Sequence, residues 1–371
     1  MNIKHLYISA GVLAVLAIIT SILTRTSSAP LLDERVGSNV VDPANLRDTA
    51  KIVVETDGEK ITLVNDEEKK AWVLEEKHSL PTSYNRISQL ARNVSEAKLQ
   101  RLVSENPDRI ATLGFEGGDR IRFIDKLDND IVAFGLGKET ENGRQFLRFN
   151  GEEKAFLVNT TFYIDSNLDS WLEKKLVTFE ASDVTAITAT MQNGDKLSAT
   201  RDNADSDWTT DDSLPEKKIL NQSSVGQIAS KFAGLSFTAT ADKDGPNVVA
   251  ARENSHQFDL QLNNGKSYQF TIGRQPEVKI EKEVEKEDEN GEKTTEMEEE
   301  VVTPEGPVYF FISPSDASDP VNEYMSRSAF EVSSYQFTSL PESLDALISD
   351  APEPVEETPA PLVVPRAEES P

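Results

Sequence analysis

Two stretches of this chain carry the same series of landmarks in the same order. Trp72 is followed by a Leu-Pro pair at 80–81 and by a short helical pattern, and Trp208 is followed by a Leu-Pro pair at 214–215 and a similar pattern. A strand that ends in glycine comes next in both stretches. Because the separations are nearly constant, the order predicts an internal repeat.

Composition narrows the class of protein. The chain has 371 residues, which accommodates two copies of a unit of about 140 residues. Its formal net charge is -27, which argues against a nucleic-acid partner because phosphates are bound by clustered lysine and arginine. It has no cysteine, which excludes disulfides, cysteine-bound zinc and thiol catalysis and is compatible with an oxidising compartment.

An uncharged run at residues 6–23, flanked by Lys4 and Arg25, meets the lower length limit for a membrane-spanning helix. The alternative is a cleaved signal peptide with its small-residue site at 27–29, although Pro30 would then follow the cut. The sequence favours a retained anchor that contacts the bilayer through residues 6–23. The positive flank predicts a cytoplasmic N-terminus and a periplasmic body, hence a single-pass inner-membrane protein.

Each repeat opens with short β-branched runs separated by turn residues, followed by one amphipathic helix and by further strands. In the first copy the helix has Ile87, Leu90 and Val94 on one face. The predicted fold class is therefore α+β, with an N-terminal single transmembrane helix followed by two tandem repeats of an antiparallel sheet packed on a helix. The predicted segments are an anchor at 1–25, a stalk at 26–50, the first repeat at 51–180, the second repeat at 181–345 and a disordered Pro/Glu tail at 346–371.

The second repeat contains an acidic insertion at 277–302 that the first repeat lacks. One interpretation is a disordered charged loop. The alternative is a projecting hairpin with a type I′ turn at Asn290-Gly291, which sets Val284 opposite Met297 and Lys282 opposite Glu299. That pairing places six glutamates on one face, where their repulsion would favour a cation or a basic partner. These predicted contact residues are Glu281, Glu283, Glu285, Glu296, Glu298 and Glu300.

Catalytic patterns are weak. The three histidines, His5, His78 and His256, do not occupy equivalent positions in the two repeats and are not tied to a serine or aspartate constellation. The glycines near Lys138 do not form a phosphate loop, because Val132 and Glu139 occupy positions that the motif assigns to other residues. We therefore predict no enzyme activity, no cofactor and no metal site.

Several structural motifs resemble a bacterial envelope family of unknown function, the domain-of-unknown-function family of the 4340 type. The motifs that carry the resemblance are Trp72, Phe134–Gly137, Gln145–Phe149, Ala155–Val158 and Asp169–Leu176. The resemblance implies one N-terminal transmembrane helix, a repeated periplasmic body and a gene beside ABC exporters similar to the gliding-motility transporter. It transfers no catalytic residue.

The chain departs from the family pattern at residues 113–115, where Leu-Gly-Phe stands in place of Tyr-Gly-Leu, and in the acidic insertion. The first functional hypothesis is a non-enzymatic, membrane-anchored accessory or scaffold subunit of an ABC-type transport complex. The alternative is an extracytoplasmic module that binds an envelope polymer or an exported substrate. The sequence leaves the oligomeric state open.

Overall fold

In the computed structural model, the chain is described at residues 33–287 and 293–352, without the side chains of 284–287 and 293–296. It divides into two units after Lys174. This division lies close to the predicted boundary between residues 180 and 181.

The first unit is built on a nine-stranded antiparallel sheet with the order β4-β3-β2-β1-β6-β7-β8-β9-β5. Its strands are β1 (Lys51–Thr56), β2 (Glu59–Asp66), β3 (Ala71–Leu74), β4 (Leu80–Pro81), β5 (Leu99–Ser104), β6 (Arg120–Ile124), β7 (Asp130–Thr140), β8 (Arg144–Phe149) and β9 (Ala155–Val158). The helices are α1 (Tyr84–Glu96) and α2 (Pro107–Ala111), with 3-10 turns at Asn45–Asp48, Glu75–Lys77 and Leu168–Trp171.

Backbone conformation and side-chain spacing explain the first hairpin and helix α1. Asp57 and Gly58 both have positive φ, at 49° and 82°, as a tight hairpin turn between β1 and β2 requires. Helix α1 buries Ile87, Leu90 and Val94, so the helical face predicted from their spacing is confirmed.

Residues 33–50 differ from the expected stalk, because they pack against the first unit. Val40 and Val41 are buried, and the amide of Val40 donates to the carbonyl of Ala97 at 2.8 Å. Gly37 likewise donates to Leu99 at 2.7 Å. These contacts join residues far apart in sequence, so local periodicity did not reveal them.

The second unit is built on a seven-stranded sheet with the order β11-β10-β14-β15-β18-β19-β13, and two further sheets have two strands each. The strands are β10 (Val184–Thr190), β11 (Lys196–Thr200), β12 (Lys218–Leu220), β13 (Ala239–Ala241), β14 (Ser255–Leu262), β15 (Ser267–Arg274), β16 (Val278–Glu287), β17 (Lys293–Thr303), β18 (Val308–Pro314), β19 (Ala329–Val332) and β20 (Ile348–Asp350). The helices are α3 (Gln222–Ala233), α4 (Pro246–Glu253), α5 (Pro320–Arg327) and α6 (Ser334–Thr338), with 3-10 turns at Ala181–Asp183 and Leu344–Leu347.

Aromatic packing forms the centre of the second unit. The ring of Phe232 on α3 lies 5.0 Å from that of Phe258 and 4.5 Å from that of Phe270. Asn221 caps α3 by accepting a hydrogen bond from the amide of Ser224.

The two large sheets share one strand order over seven strands. The first reads β2-β1-β6-β7-β8-β9-β5, and the second reads β11-β10-β14-β15-β18-β19-β13. In both, the strand that follows the amphipathic helix lies at the sheet edge. Helix α5 stands between β18 and β19, whereas β8 and β9 are joined by a short connection at 150–154.

The predicted fold class is wrong for the described chain. Within residues 33–287 and 293–352 the strands form four antiparallel sheets, and no helix is long and apolar enough to cross a membrane. Helix α1 has 13 residues and a polar outer face, whereas a span needs about 20 apolar residues. The predicted span at 6–23 lies outside the described residues.

Chain segments near the unit ends form short elements. Within residues 169–176, which carry one of the motifs of the resemblance, the helical part is only the short 3-10 turn that ends at Trp171, after which Leu172 bridges to Thr82. Residues 323–330 form the end of α5 and the first part of β19. Residues 348–350, expected in the tail, form β20 and pair with β12, and residues 353–371 lie outside the described part.

Candidate functional site

The acidic insertion of the second unit forms a two-stranded hairpin from β16 and β17, which we call the arm. Its two strands pair with each other and with no other described strand. The arm stands where β15 and β18, which are themselves paired, would otherwise be joined by a turn. The expected turn residues Asn290 and Gly291 lie outside the described residues.

The register of the arm differs from the predicted one by a single residue. Val278 pairs with Thr303, a pair that fits the predicted register, but an irregularity follows. Lys282 then stands opposite Glu298 rather than Glu299. Val284 accordingly stands opposite Glu296 rather than Met297. A bulge adds one residue to one strand, and a slip of one residue exchanges the faces of a strand.

This slip separates the glutamates that the sequence placed on one face. Glu281 and Glu283 share a face with their direct partners on β17, whereas Glu298 and Glu300 point to the opposite face. The side chains of Glu285 and Glu296 lie outside the described part. The predicted single acidic face is therefore wrong, and both described faces of the arm carry carboxylates.

Lysines neutralise part of this charge. Lys282 lies 3.1 Å from Glu300, and Lys279 lies 3.1 Å from Glu299. Among the described residues Glu281 has no cationic partner, and it stands directly opposite Glu299. Like charges in that position destabilise a strand pair, so the register is held against a local repulsion.

Apolar side chains are exposed beside these carboxylates. Ile280 is 47% exposed, Met297 is 57% exposed and Val301 is 47% exposed. A hairpin without further strands is marginally stable in water. Exposed apolar groups bordered by charges are typical of surfaces that contact a partner.

A cavity of about 570 Å³ opens at the root of the arm within the second unit. The side chains that give it its chemistry are His256, Arg274, Glu277, Glu305, Phe337 and Glu342. They come from β14, β15, the two ends of the arm and the segment from α6 to residue 342.

His256 is the buried titratable group of this cavity. It is 4% exposed, and its Nδ1 accepts a hydrogen bond from the backbone amide of Gln192 at 3.2 Å. This bond places the proton of the neutral ring on Nε2. Burial lowers the pKa of His256, and the nearby carboxylate of Glu342 opposes that shift.

Arg274 and Glu305 form an ion pair at the mouth of the cavity. The guanidinium of Arg274 also lies 5.1 Å from the centre of the Phe337 ring, and that ring lies 5.3 Å from the imidazole of His256. The cavity therefore combines an aromatic wall, a paired cation and carboxylates. Such a lining suits a polar ligand that forms hydrogen bonds with both cationic and anionic side chains.

The described contacts of His256 do not include a hydroxyl group that it could activate as a nucleophile. No group of three or more histidine, aspartate or glutamate side chains within the described ranges is placed to hold a metal ion. The groups best placed to hold a small cofactor are Arg274 and the neutral imidazole.

Sequence reasoning overlooked this cavity because its groups come from distant segments. One signal was present: His256 occupies the same strand face as Phe258, Leu260 and Leu262, which are buried. A polar residue at a buried position of an alternating strand indicates either a core residue whose hydrogen bonds are satisfied or a residue of a functional site.

One family model matches part of the chain. No curated protein and no solved structure matches it. The matched segment begins at β3 in the first unit and ends with α4 in the second. Residues 72–253 match the model of the family described as Domain of unknown function (DUF4340), the family that the sequence motifs resemble.

Proposed function

We propose that this chain is a non-enzymatic accessory or scaffold subunit of an ABC-type transport complex, acting at the periplasmic face of the bacterial inner membrane. The family match over residues 72–253 supports this proposal, as does the cysteine-free composition, which suits an oxidising compartment. The same proposal includes genes for ABC exporters beside the gene for this chain. It also includes the descent of the two units from one duplicated unit. The shared strand order of the two large sheets supports the duplication.

The arm is the observation that carries the proposal. It exposes Ile280, Met297 and Val301 although each is apolar, and its strands pair only with each other among the described residues. A partner that covers these side chains would remove apolar surface from water, at about 25 cal/mol per Å². Carboxylates on both described faces favour a partner surface that is basic at its rim and apolar at its centre.

Copurification from detergent tests this function. The full chain should retain transporter subunits at constant stoichiometry, and deletion of residues 277–302 should abolish retention. This deletion leaves Arg274 and Glu305 in place, so the melting temperature of the body should stay nearly unchanged. Retention of the same subunits without the arm would contradict the proposed role of the arm, and absence of transporter subunits from the intact preparation would contradict the function.

Matched variants separate the effect of the arm's carboxylates from that of the net charge of the chain. The pair Glu281→Lys and Glu283→Lys should weaken retention by reversing charge on one face of the arm. The pair Glu216→Lys and Glu253→Lys makes the same change in net charge at exposed positions of the second unit outside the arm. Equal losses for both pairs would show that only net charge matters.

A second candidate function is an extracytoplasmic binding module for an envelope polymer or an exported substrate. The cavity of about 570 Å³ at the root of the arm favours it. In that case a free monomer should gain melting temperature with glycan or lipid fractions, and Arg274→Gln should remove the gain. Arg252→Gln, at another arginine of the second unit outside the cavity, is the matched control.

A further inference from the structure

One row of residues crosses four neighbouring strands of the first unit. Glu55 on β1 pairs with Arg120 on β6, Arg120 pairs with Gly135 on β7, and Gly135 pairs with Arg148 on β8. Directly paired residues point to the same face of a sheet. Two arginines therefore flank a glycine, with their Cα atoms about 10 Å apart across two strand spacings.

The glycine leaves an open space between these arginines. A cavity of about 450 Å³ lies over Ala133 and Gly135, and Phe115 and Phe149 border it. We call this cavity the arginine basin. A Cβ atom at Gly135 would meet nothing closer than 3.9 Å, so the space above the backbone is free for a ligand.

Three arginines line the basin with different degrees of neutralisation. Arg122 is paired with Asp130 at 2.8 Å, and Arg120 approaches Glu55 at 3.5 Å with both side chains about half exposed. Arg148 has no carboxylate partner among the described residues.

The ring of Phe115 helps to position the free arginine. The guanidinium of Arg148 lies 5.3 Å from the centre of that ring. An aromatic face attracts a guanidinium and leaves its in-plane N–H groups available as donors.

We propose that the arginine basin binds an oxyanion, a carboxylate or a phosphate group of a small acidic ligand. The guanidinium groups of Arg148 and Arg120 present donor pairs that match the two oxygens of such a group. The anion would sit above Gly135, where no side chain competes for space. In a chain with net charge -27, distant acids lower the affinity, so the local donors must supply the binding.

Isothermal titration of the full chain with inorganic phosphate and with citrate at low salt tests this proposal. Arg148→Gln should weaken binding by at least about tenfold, because it removes charge-assisted hydrogen bonds. Gly135→Leu fills the space and keeps every charge, and it should weaken binding to a similar extent. Glu55→Gln should tighten binding, because it releases Arg120 from a competing carboxylate.

Arg144→Gln is the matched control, since Arg144 is an exposed arginine on the same strand as Arg148 and does not line the basin. It should leave the affinity unchanged. Either anion binding with this pattern supports the proposal, and the tighter of the two identifies the preferred group. An equal loss in Arg144→Gln, an unchanged affinity in a folded Gly135→Leu, or no binding of either anion up to about 10 mM would overturn it. The arm plays no part in this test, so its outcome is independent of the transport proposal.

Discussion

Arg35 and Glu152 are joined by two hydrogen bonds, Nη1 to Oε1 at 2.8 Å and Nη2 to Oε2 at 2.7 Å, although 117 residues separate them. The guanidinium also lies 5.1 Å from the Phe149 ring and 4.9 Å from the Phe156 ring. The two hydrogen bonds between Arg35 and Glu152 hold residues 33–50 against the rest of the first unit. Hydrogen bonds with Arg35 hold the pKa of Asp33 well below its usual range.

Arg35→Gln should destabilise the first unit by about 1 to 3 kcal/mol, because it removes the paired hydrogen bonds and leaves Glu152 without its partner. Urea unfolding measures the loss. A loss of stability near the lower end of this range is expected, because both side chains are about one-third exposed and solvent screens their interaction. Arg47→Gln, at an exposed position of the same segment, should change the stability little, and a double-mutant cycle of Arg35→Gln with Glu152→Gln should give a favourable coupling energy. Zero coupling would show that the pairing of Arg35 with Glu152 contributes nothing to the stability of the first unit.

The second unit should lose stability as the pH falls below the ordinary histidine pKa of 6.5. Burial lowers the pKa of folded His256, so the unfolded chain binds a proton at a higher pH than the folded one does. The contribution of neutral His256 to the free energy of unfolding is therefore complete above pH 6.5. It decreases as the pH drops from 6.5 through the pKa of folded His256. His256→Asn keeps an acceptor for the Gln192 amide and does not titrate, so unfolding curves between pH 7 and 5 should lose this pH dependence.

His78→Asn provides the control for this measurement. His78 is exposed and has a positive φ of 53°, a conformation that asparagine tolerates. Its variant should keep the pH dependence of the parent chain. The explanation fails if His256→Asn unfolds with the same pH dependence as the parent.

Trp208→Ala should cost about 3 to 5 kcal/mol, because it removes a buried aromatic side chain and leaves a cavity. Trp208 is 5% exposed, and the guanidinium of Arg201 lies 4.5 Å from its ring centre. The half-buried Trp72 should cost less when replaced by Ala, about 1 to 2 kcal/mol. Denaturant titrations of both variants check the difference, and equal losses would show that the two rings pack equally deeply.

Engineered cysteines can read the register of the arm in this cysteine-free chain. Glu281→Cys with Glu299→Cys places the two thiols at directly opposite positions, within the range that a disulfide bridges. Lys282→Cys with Glu299→Cys tests the register expected from the sequence. Under mild oxidation the first pair should crosslink faster, as measured by thiol titration. Faster crosslinking of the second pair would restore the predicted register and the single acidic face.

Local patterns were sufficient where structure depends on neighbouring residues. Turn residues between the first β-branched runs indicated the hairpin of β1 and β2, and the spacing of Ile87, Leu90 and Val94 indicated the buried face of α1. Strands such as β5 and β13 were missed, because each is short and contacts partners far away in the chain. The basin and the cavity at His256 were missed for the same reason.

The amino-acid sequence alone determined which residues alternate, where the hairpin turns fall and which segment carries the excess of glutamate. These properties follow from backbone preferences and from side-chain spacing within a few residues. Tertiary structure decided that residues 33–50 pack on the first unit and that Arg120 and Arg148 meet across Gly135. It also decided that one irregularity after Val278 divides the glutamates of the arm between two faces. Pairing register depends on the energy of contacts across strands, and a shift of one residue reverses every face without altering the local pattern.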